Sequence, residues 1–454
     1  MRRNGWNGLN SLGAVAIAAA VLSGCSGGQT GSEAAGSEGG KATIDSGNTG
    51  QTAQTTGGSK EVAFFTQLGD TTANFDYRIG DALRKKFPDY TITFVEKPSG
   101  KDVAESIAAG VNFDIFYSSI GNFEDVVLPY DLAYDMSELV QKHAIDLSAI
   151  EPTILDAVRQ ASGGKLYGLP VYNNNFVLYY NKTIFDKFGV PYPNDGMTWK
   201  QTLQLSAKLT REESGVSYFG FGQSTVHTVR LNPLSIPNVD PVTNKPTVNT
   251  DPRWKTFYQT FFLPFAQDTL YQAYTAKTNK TPDLNSFVTE KNTAMFPYLS
   301  SLIYVWIDQL KTLDWDMAAL PSFPDAPDTG SVSYPTYFGV VKTSKNKDAA
   351  AEVLKYMISE AFQTELAQKA IMPVLQDRSV QARIGELSPF KDKHLQAIFA
   401  KKLAPVAPKT MYDGEVATIY RNHGVLMHTG KVDLNTGLRQ AEEAAQKAID
   451  AKRK

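Results

Sequence analysis

Between residues 61 and 119 the chain reads strand, helix, strand, helix, strand, and few folds accept that order. EVAFFT (61 to 66) is an apolar, aromatic run that suits a strand. NFDYRIGDALRKKFPD then places Phe75, Ile79, Leu83 and Phe87 four apart on one helical face, with Asn74 as a capping start and Pro88 as a stop. YTITFVE (90 to 96) alternates Tyr90, Ile92 and Phe94, KDVAESIAAG turns Val103 and Ile107 inward and ends on Gly110, and FDIFYSS (113 to 119) closes the series. Strands joined through helices pair in parallel, so the expectation is a doubly wound α/β sheet whose ligand lies outside the carboxyl ends of the strands. Just past those ends stand Thr66, Gln67, Glu96, Lys97, Tyr117, Ser118 and Ser119, with no glycine-rich phosphate loop. That rim suits a neutral polar ligand better than a nucleotide.

A second sheet is expected to start at GLPVYNNNFVLYYNK (168 to 182), where residues 176 to 180 form a buried strand. Asn173, Asn174 and Asn175 lead into it. Asparagine is depleted in strands and favoured where a side chain must hydrogen-bond something other than a regular ladder. Downstream, Thr198 and Gln201 have the spacing of a capping box. YFGFG (218 to 222), NTAMFPYL (292 to 299) and WDMAALPSFP (315 to 324) add strands, and SYPTYFGVV (333 to 341) leads into a helix, KDAAAEVLKYMISEAFQ. The last element is an amphipathic helix capped by Asp433 or Asn435.

The N-terminus sets a location. Arg2 and Arg3 precede a short apolar core at residues 12 to 22, too short to span a bilayer, followed by LSGC. This resembles a bacterial lipobox, which implies a signal peptide over residues 1 to 24 and a diacylglycerol on Cys25. Cys25 is the only cysteine, so it has no internal disulfide partner. The rest of the segment 25 to 60 is rich in Gly, Ser and Thr, with almost nothing to bury, and reads as a flexible tether of roughly 30–35 Å. About 390 residues then remain, more than one ordinary core needs. The formal charge of −2 shows no basic excess and argues against nucleic acid. After the leader, no run approaches about 18 uninterrupted apolar residues.

Several stretches together carry a family resemblance. GKLYGLP, the strand ending in YYNK, the IFDKFG helix and the P…TW opening of the next helix resemble the signature of bacterial extracellular solute-binding proteins, the sugar-type binding subunits of ABC importers. NTAMF, with Asn292 where glycine is usual, SKNKDAAAEVLKYMIS and VDLNTGLRQAEEAAQKAI are similar to later parts of the same pattern. The resemblance covers residue 61 to the end. It implies a two-lobed periplasmic-binding-protein-like fold (type II), each lobe a mostly parallel sheet flanked by helices, joined by hinge crossovers near residues 170 to 172, 337 to 341 and 372 to 374. Lobe one would be 61–171 and 339–373, lobe two 172–338 and 374–454.

The resemblance also implies a monomeric, lipid-anchored receptor outside the cytoplasm that captures a small molecule, by family habit a sugar, and presents it to an ABC permease. Sugars have a hydroxyl rim and a C–H patch, so their sites combine hydrogen-bonding groups with aromatic rings. The candidates are Tyr117, Ser118, Ser119, Tyr172, Asn173, Asn174, Tyr298, Tyr334 and Tyr337, with core packing or local backbone bonding as the rival role for each. Trp199, Trp254 and Trp315 read as packing residues. The histidines, His143, His227, His394, His423 and His428, are scattered and read as loop or surface groups, with no zinc spacing and no nucleophile elbow. No cofactor or metal is called for. A secreted hydrolase and a sensory or adhesive lipoprotein are the alternative functions, and a peptide, polyamine or metal is the alternative ligand.

Overall fold

The computed structural model describes residues 60 to 453 apart from Asp102, Gly121 and Asn279; the leader, Cys25 and the tether lie outside the described residues. Strands β1 (Lys60–Phe65), β2 (Tyr90–Val95) and β3 (Ile115–Ser119) form where their patterns place them. β1 pairs in parallel with both β2 and β3, the outcome of the two intervening helical segments. They make one side of a six-stranded sheet that continues through Thr336–Val340, β4 (Leu169–Asn173) and Met372–Pro373. Thr336–Val340 runs antiparallel to both β3 and β4.

A three-stranded sheet has β5 (Phe176–Asn181) at its centre, antiparallel to Met295–Leu299 and Trp315–Ala319. All six residues of β5 are buried. Its alternation divides them: Phe176, Leu178 and Tyr180 join the larger apolar core, while Val177 and Tyr179 pack with Phe287, Phe296 and Trp315 in a second one. A strand covered on both faces needs no polar side, which is why FVLYY reads as one apolar run. Among the described residues no helix is long and apolar enough to cross a membrane.

The first helical segment departs from its expectation. Thr71, not Asn74, accepts the capping bond from the Asn74 N–H, and the segment is Thr72–Phe75, a π turn at Asp76–Gly80, and Asp81–Lys86. Phe75, Ile79 and Leu83 are nonetheless fully buried together. The capping box at Thr198 forms in full, with Gln201 N–H donating to Thr198 Oγ1 at 3.3 Å and Thr198 N–H to Gln201 Oε1 at 2.8 Å. The helix expected after residue 347 is two helices, Lys347–Met357 and Glu360–Gln368, because Ser359 caps the second one. Residues 218 to 222 do not make one strand: Val216–Tyr218 pairs back onto Arg211–Glu213, and Phe219 only bridges Thr293. The final helix, Leu434–Lys452, is capped by Asp433.

Candidate functional site

The chain leaves the six-stranded sheet after Asn173 and joins the three-stranded one at Phe176, so the passage consists of Asn174 and Asn175. It returns through residues 333 to 335, next to Thr336–Val340. Of the expected hinge crossovers, residues 170 to 172, all but the last of 337 to 341, and all but the last of 372 to 374 lie inside strands of the first sheet. The two passages are bonded to each other: Asn174 N–H donates to Tyr334 O at 3.2 Å and Tyr334 N–H to Asn174 O at 2.8 Å.

The asparagines hold these passages in place. Asn173 Oδ1 also accepts from Tyr334 N–H at 3.0 Å, Asn174 Oδ1 accepts from the Tyr304 hydroxyl at 3.1 Å, and Asn175 Nδ2 donates to Ile398 O at 2.8 Å. Each is at most 6 % exposed. Their side chains are committed to protein partners that a regular ladder would not supply, which explains three of them in succession at a strand entry.

Around this junction the first sheet contributes a polar cluster at the carboxyl ends of β1 and β3. Tyr117 and Phe338 are opposite one another in register and stack at 4.6 Å, and Tyr172 meets Phe338 edge-on at 5.8 Å. The Tyr117 hydroxyl donates to Asp70 Oδ2 at 2.7 Å, and Arg78 pairs with the same carboxylate. Arg78 also donates to Tyr172 Oη at 3.2 Å and to Asn74 O at 3.1 Å. The Asp70 and Arg78 side chains are only 10 % and 11 % exposed, so each charge depends on the other. Burial raises the pKa of the Tyr117 and Tyr304 hydroxyls, which therefore stay protonated at neutral pH.

Ser119 Oγ donates to Tyr334 Oη at 3.2 Å and accepts from Asn122 Nδ2 at 2.8 Å. From the second sheet come Tyr298, half-buried at the end of Met295–Leu299, and His227 on the short helix Thr225–Arg230. The His227 ring stands edge-on to Tyr298 at 5.3 Å and to Tyr334 at 6.2 Å, with Nδ1 2.8 Å from Ser224 Oγ. Burial, with the Arg230 charge adding to it, lowers the His227 pKa to about 4, so the ring is neutral at physiological pH.

Tyr117, Ser119, Tyr172, Asn173, Asn174, Tyr298 and Tyr334 thus lie in one connected region. Ser118 and Tyr337 do not: opposite each other in register, they alternate onto the other face, where Tyr337 packs edge-on to Phe123 at 5.7 Å. Sequence reasoning missed Asp70, Arg78, Tyr304 and His227. Asp70 lies four residues beyond Thr66, in the loop after the first strand, and a wider window there would have included it. Of the rim residues considered, Thr66 donates to Tyr117 O at 2.6 Å and Glu96 accepts from Thr72 N–H at 2.6 Å, so both have structural partners. The surface reading of two histidines is corrected: His227 belongs to the region just described, and His428 is a core residue of the helix Asp413–His428, 1 % exposed against Phe265 and Tyr271. Among the described residues, no group of three or more His, Cys, Asp or Glu side chains could hold a metal ion.

A family model described as bacterial extracellular solute-binding protein matches residues 66–364. Solved structures of similar fold include a sugar transporter protein from Rhizobium etli in an open conformation, 20% identical with a TM-score of 0.67 over 85% of this chain and 99% of that one. An ABC substrate-binding protein from Listeria monocytogenes in complex with cycloalternan is 18% identical, with a TM-score of 0.69 over 86% of this chain and 99% of that one. A cyclic alpha-maltosyl-1,6-maltose binding protein from Arthrobacter globiformis is 16% identical, with a TM-score of 0.64 over 86% and 99% of the two chains. These likenesses establish a two-lobed, periplasmic-binding-protein-type architecture.

Proposed function

This chain belongs to the bacterial extracellular solute-binding protein family, and we propose that it captures a carbohydrate between two lobes built on its two sheets and delivers it to an ABC importer. One lobe would comprise residues 61–173 with 336–373, the other 174–335 with 374–454, the boundaries moved from 171/172 and 338/339 because β4 and Thr336–Val340 both belong to the first sheet. The observation that carries the reading is the region's composition: tyrosine rings and hydroxyl groups from both sheets meet around an internally neutralised Asp70–Arg78 pair and an uncharged His227. Hydroxyl-bearing neutral ligands match such a surface, because each hydroxyl both donates and accepts while the rings cover C–H patches. The similar structures from Listeria and Arthrobacter, named for bound or recognised oligosaccharides, support the same ligand class.

Tyr117, Ser119, Tyr172, Tyr298 and Tyr334 are the proposed ligand contacts, joined by Asp70 and His227. Asn173 and Asn174 act as hinge staples beneath them. Ligand bound to both lobes would favour a closed arrangement over an open one, which needs a differential affinity of about 5 kcal/mol to shift the population fully. The protein performs no chemistry on this reading. A glycosidase needs two carboxylates across its cleft, and the region described has Asp70 alone, already paired with Arg78. Lipid on Cys25 would hold the protein at the outer face of the membrane, as a monomer on its tether.

A thermal-shift titration against neutral mono- and oligosaccharides tests the assignment. A cognate sugar at 100 times its Kd adds about 2.7 kcal/mol to the native state and raises Tm. If no sugar moves Tm while a peptide or polyamine does, the ligand class is wrong. If chromatography shows new reducing ends, the protein is an enzyme.

A further inference from the structure

The helical segment that carries Arg78 is irregular at Arg78 itself. Its π turn, Asp76–Gly80, ends with the Asp81 N–H donating to Asp76 O, five residues back where an α-helix would use four. A π turn fits one more residue into the turn than an α-helix does, so it re-aims the side chains it carries, and such turns recur at functional sites. Here the re-aimed side chain is the guanidinium that pairs with Asp70 and donates to Tyr172 Oη.

Three features hold the turn. A Cβ at Gly80 would stand 2.9 Å from the Phe75 ring and collide with Asp76 Oδ1, which pairs with Arg84 at 2.8 Å. Arg78 Nε donates to Asn74 O at 3.1 Å, so the side chain takes up a carbonyl of its own segment. The third feature comes from far along the chain: Lys369 Nζ donates to Tyr77 O at 2.6 Å and lies 5.4 Å from the centre of the Tyr77 ring. Lys369 ends the helix Glu360–Gln368, three residues before Met372–Pro373, the edge strand of the first sheet. Burial lowers its pKa, while the carboxylates of Glu365 and Asp81 oppose the shift. An ammonium donating to a carbonyl makes a stronger bond than a neutral donor would.

We propose that Lys369 is a positioning residue for the ligand site: its bond to Tyr77 O holds the π turn in the register that brings Arg78 against Asp70 and Tyr172. The proposal rests on the carbohydrate reading for what the site binds, and on the hydrogen bonds above for how it is held. Without Lys369 the segment relaxes towards a regular α-helix. A shift of one residue turns a helical side chain by about 100°. Arg78 then leaves Asp70 and Tyr172, and the two proposed ligand contacts lose the charge that orients them.

Two readouts on the full-length chain test this. In protein carrying isotope-labelled arginine, the Arg78 Nε–H resonance is identified by its loss in Arg78→Lys. It reports the turn, because that N–H donates to Asn74 O and the guanidinium lies 5.9 Å from the centre of the Tyr172 ring. Lys369→Met is expected to move this resonance and to weaken the binding of maltose or glucose, measured by calorimetry, by about tenfold, the size of one hydrogen bond to a charged group. Lys369→Arg can donate to the same carbonyl and is expected to restore both. Gly80→Ala crowds the same turn from within and is expected to move the resonance in the same way. A resonance or an affinity that Lys369→Met leaves unchanged overturns the proposal, and so does a loss that Lys369→Arg fails to recover. If neither sugar binds the wild type, the carbohydrate reading is what fails, and the resonance then supports or overturns the role of Lys369 by itself.

Discussion

Asn174 and Tyr334 exchange backbone hydrogen bonds in both directions, although one lies on the outward passage between the sheets and the other on the return. Two passages locked in this way cannot bend independently. On the proposed two-lobed reading, a hinge motion would pivot about the pair, with Tyr304 fastened to it through Asn174 Oδ1.

That fastening can be measured. Asn174→Ala leaves the buried Tyr304 hydroxyl without its acceptor and should destabilise the protein by ~1–3 kcal/mol in urea unfolding. Tyr304→Phe removes the donor and should cost less. In the double variant the two effects should fall short of their sum by ~0.5–1.5 kcal/mol. Strict additivity would mean the two groups do not interact.

The Asp70–Arg78 pair makes a stronger statement. Arg78→Met strands a carboxylate that is 10 % exposed and should lower stability by about 3–5 kcal/mol. Adding Asp70→Asn removes the stranded charge and should restore most of the loss. Denaturation midpoints of the two variants and the wild type decide it; a double variant no more stable than Arg78→Met would show that the pair is not the source.

The backbone plan was legible because it is periodic: β1 to β3, the two-faced burial of β5 and the Thr198 capping box all follow from local spacing. What was not legible depends on where separate elements meet. Ser118 and Tyr337 looked like rim residues by position, yet strand alternation turns them away from Tyr117 and Tyr172. Arg78 and Asp70 are only eight residues apart, but their partners Tyr117 and Tyr172 come from strands β3 and β4. His227 looked isolated because its neighbours Tyr298 and Tyr334 come from distant segments. The break at Ser359 was a local signal that the apolar face of the longer helical pattern hid.

Tyr298 is half-buried and its ring neighbours are Phe296 and His227. If it covers one face of a sugar, Tyr298→Ala should weaken binding of the best saccharide from the thermal-shift screen by tenfold or more, since an aromatic contact is worth about 0.5–1.5 kcal/mol beyond its buried area. Tyr298→Phe should retain most of the affinity. Equal loss in both variants would assign the contact to the hydroxyl and remove the stacking role.

Cys25 carries the proposed anchor. Cys25→Ser should move the protein from the membrane fraction to the soluble fraction and abolish labelling by a radioactive fatty acid in the producing cell, because losing the acyl chains removes about 0.8 kcal/mol per buried CH2. Membrane retention of the serine variant would point to an anchor elsewhere in the chain.

His428 gives the protein an acid limit. Its ring is buried between Phe265 and Tyr271, neither ring nitrogen has a partner among the described residues, and burial lowers its pKa to about 4. The unfolded chain binds the proton near pH 6.5, the folded one only near 4, so stability is complete above 6.5 and declines as pH falls between those values. The decline from this residue approaches about 3 kcal/mol by pH 4, and His227 acts in the same window with the same sign. Carboxylates behave differently: Asp251, held low by its hydrogen bonds from Arg253, loses its contribution only below the ordinary carboxylate range. Urea midpoints at pH 7.5, 6, 5 and 4 should therefore fall well before the carboxylates titrate. His428→Phe keeps the ring and removes both unpaired nitrogens, so it should be at least as stable at pH 7.5 and should lose less between pH 6 and 4. If the variant and the wild type decline in parallel, the imidazole is not what limits the fold in acid.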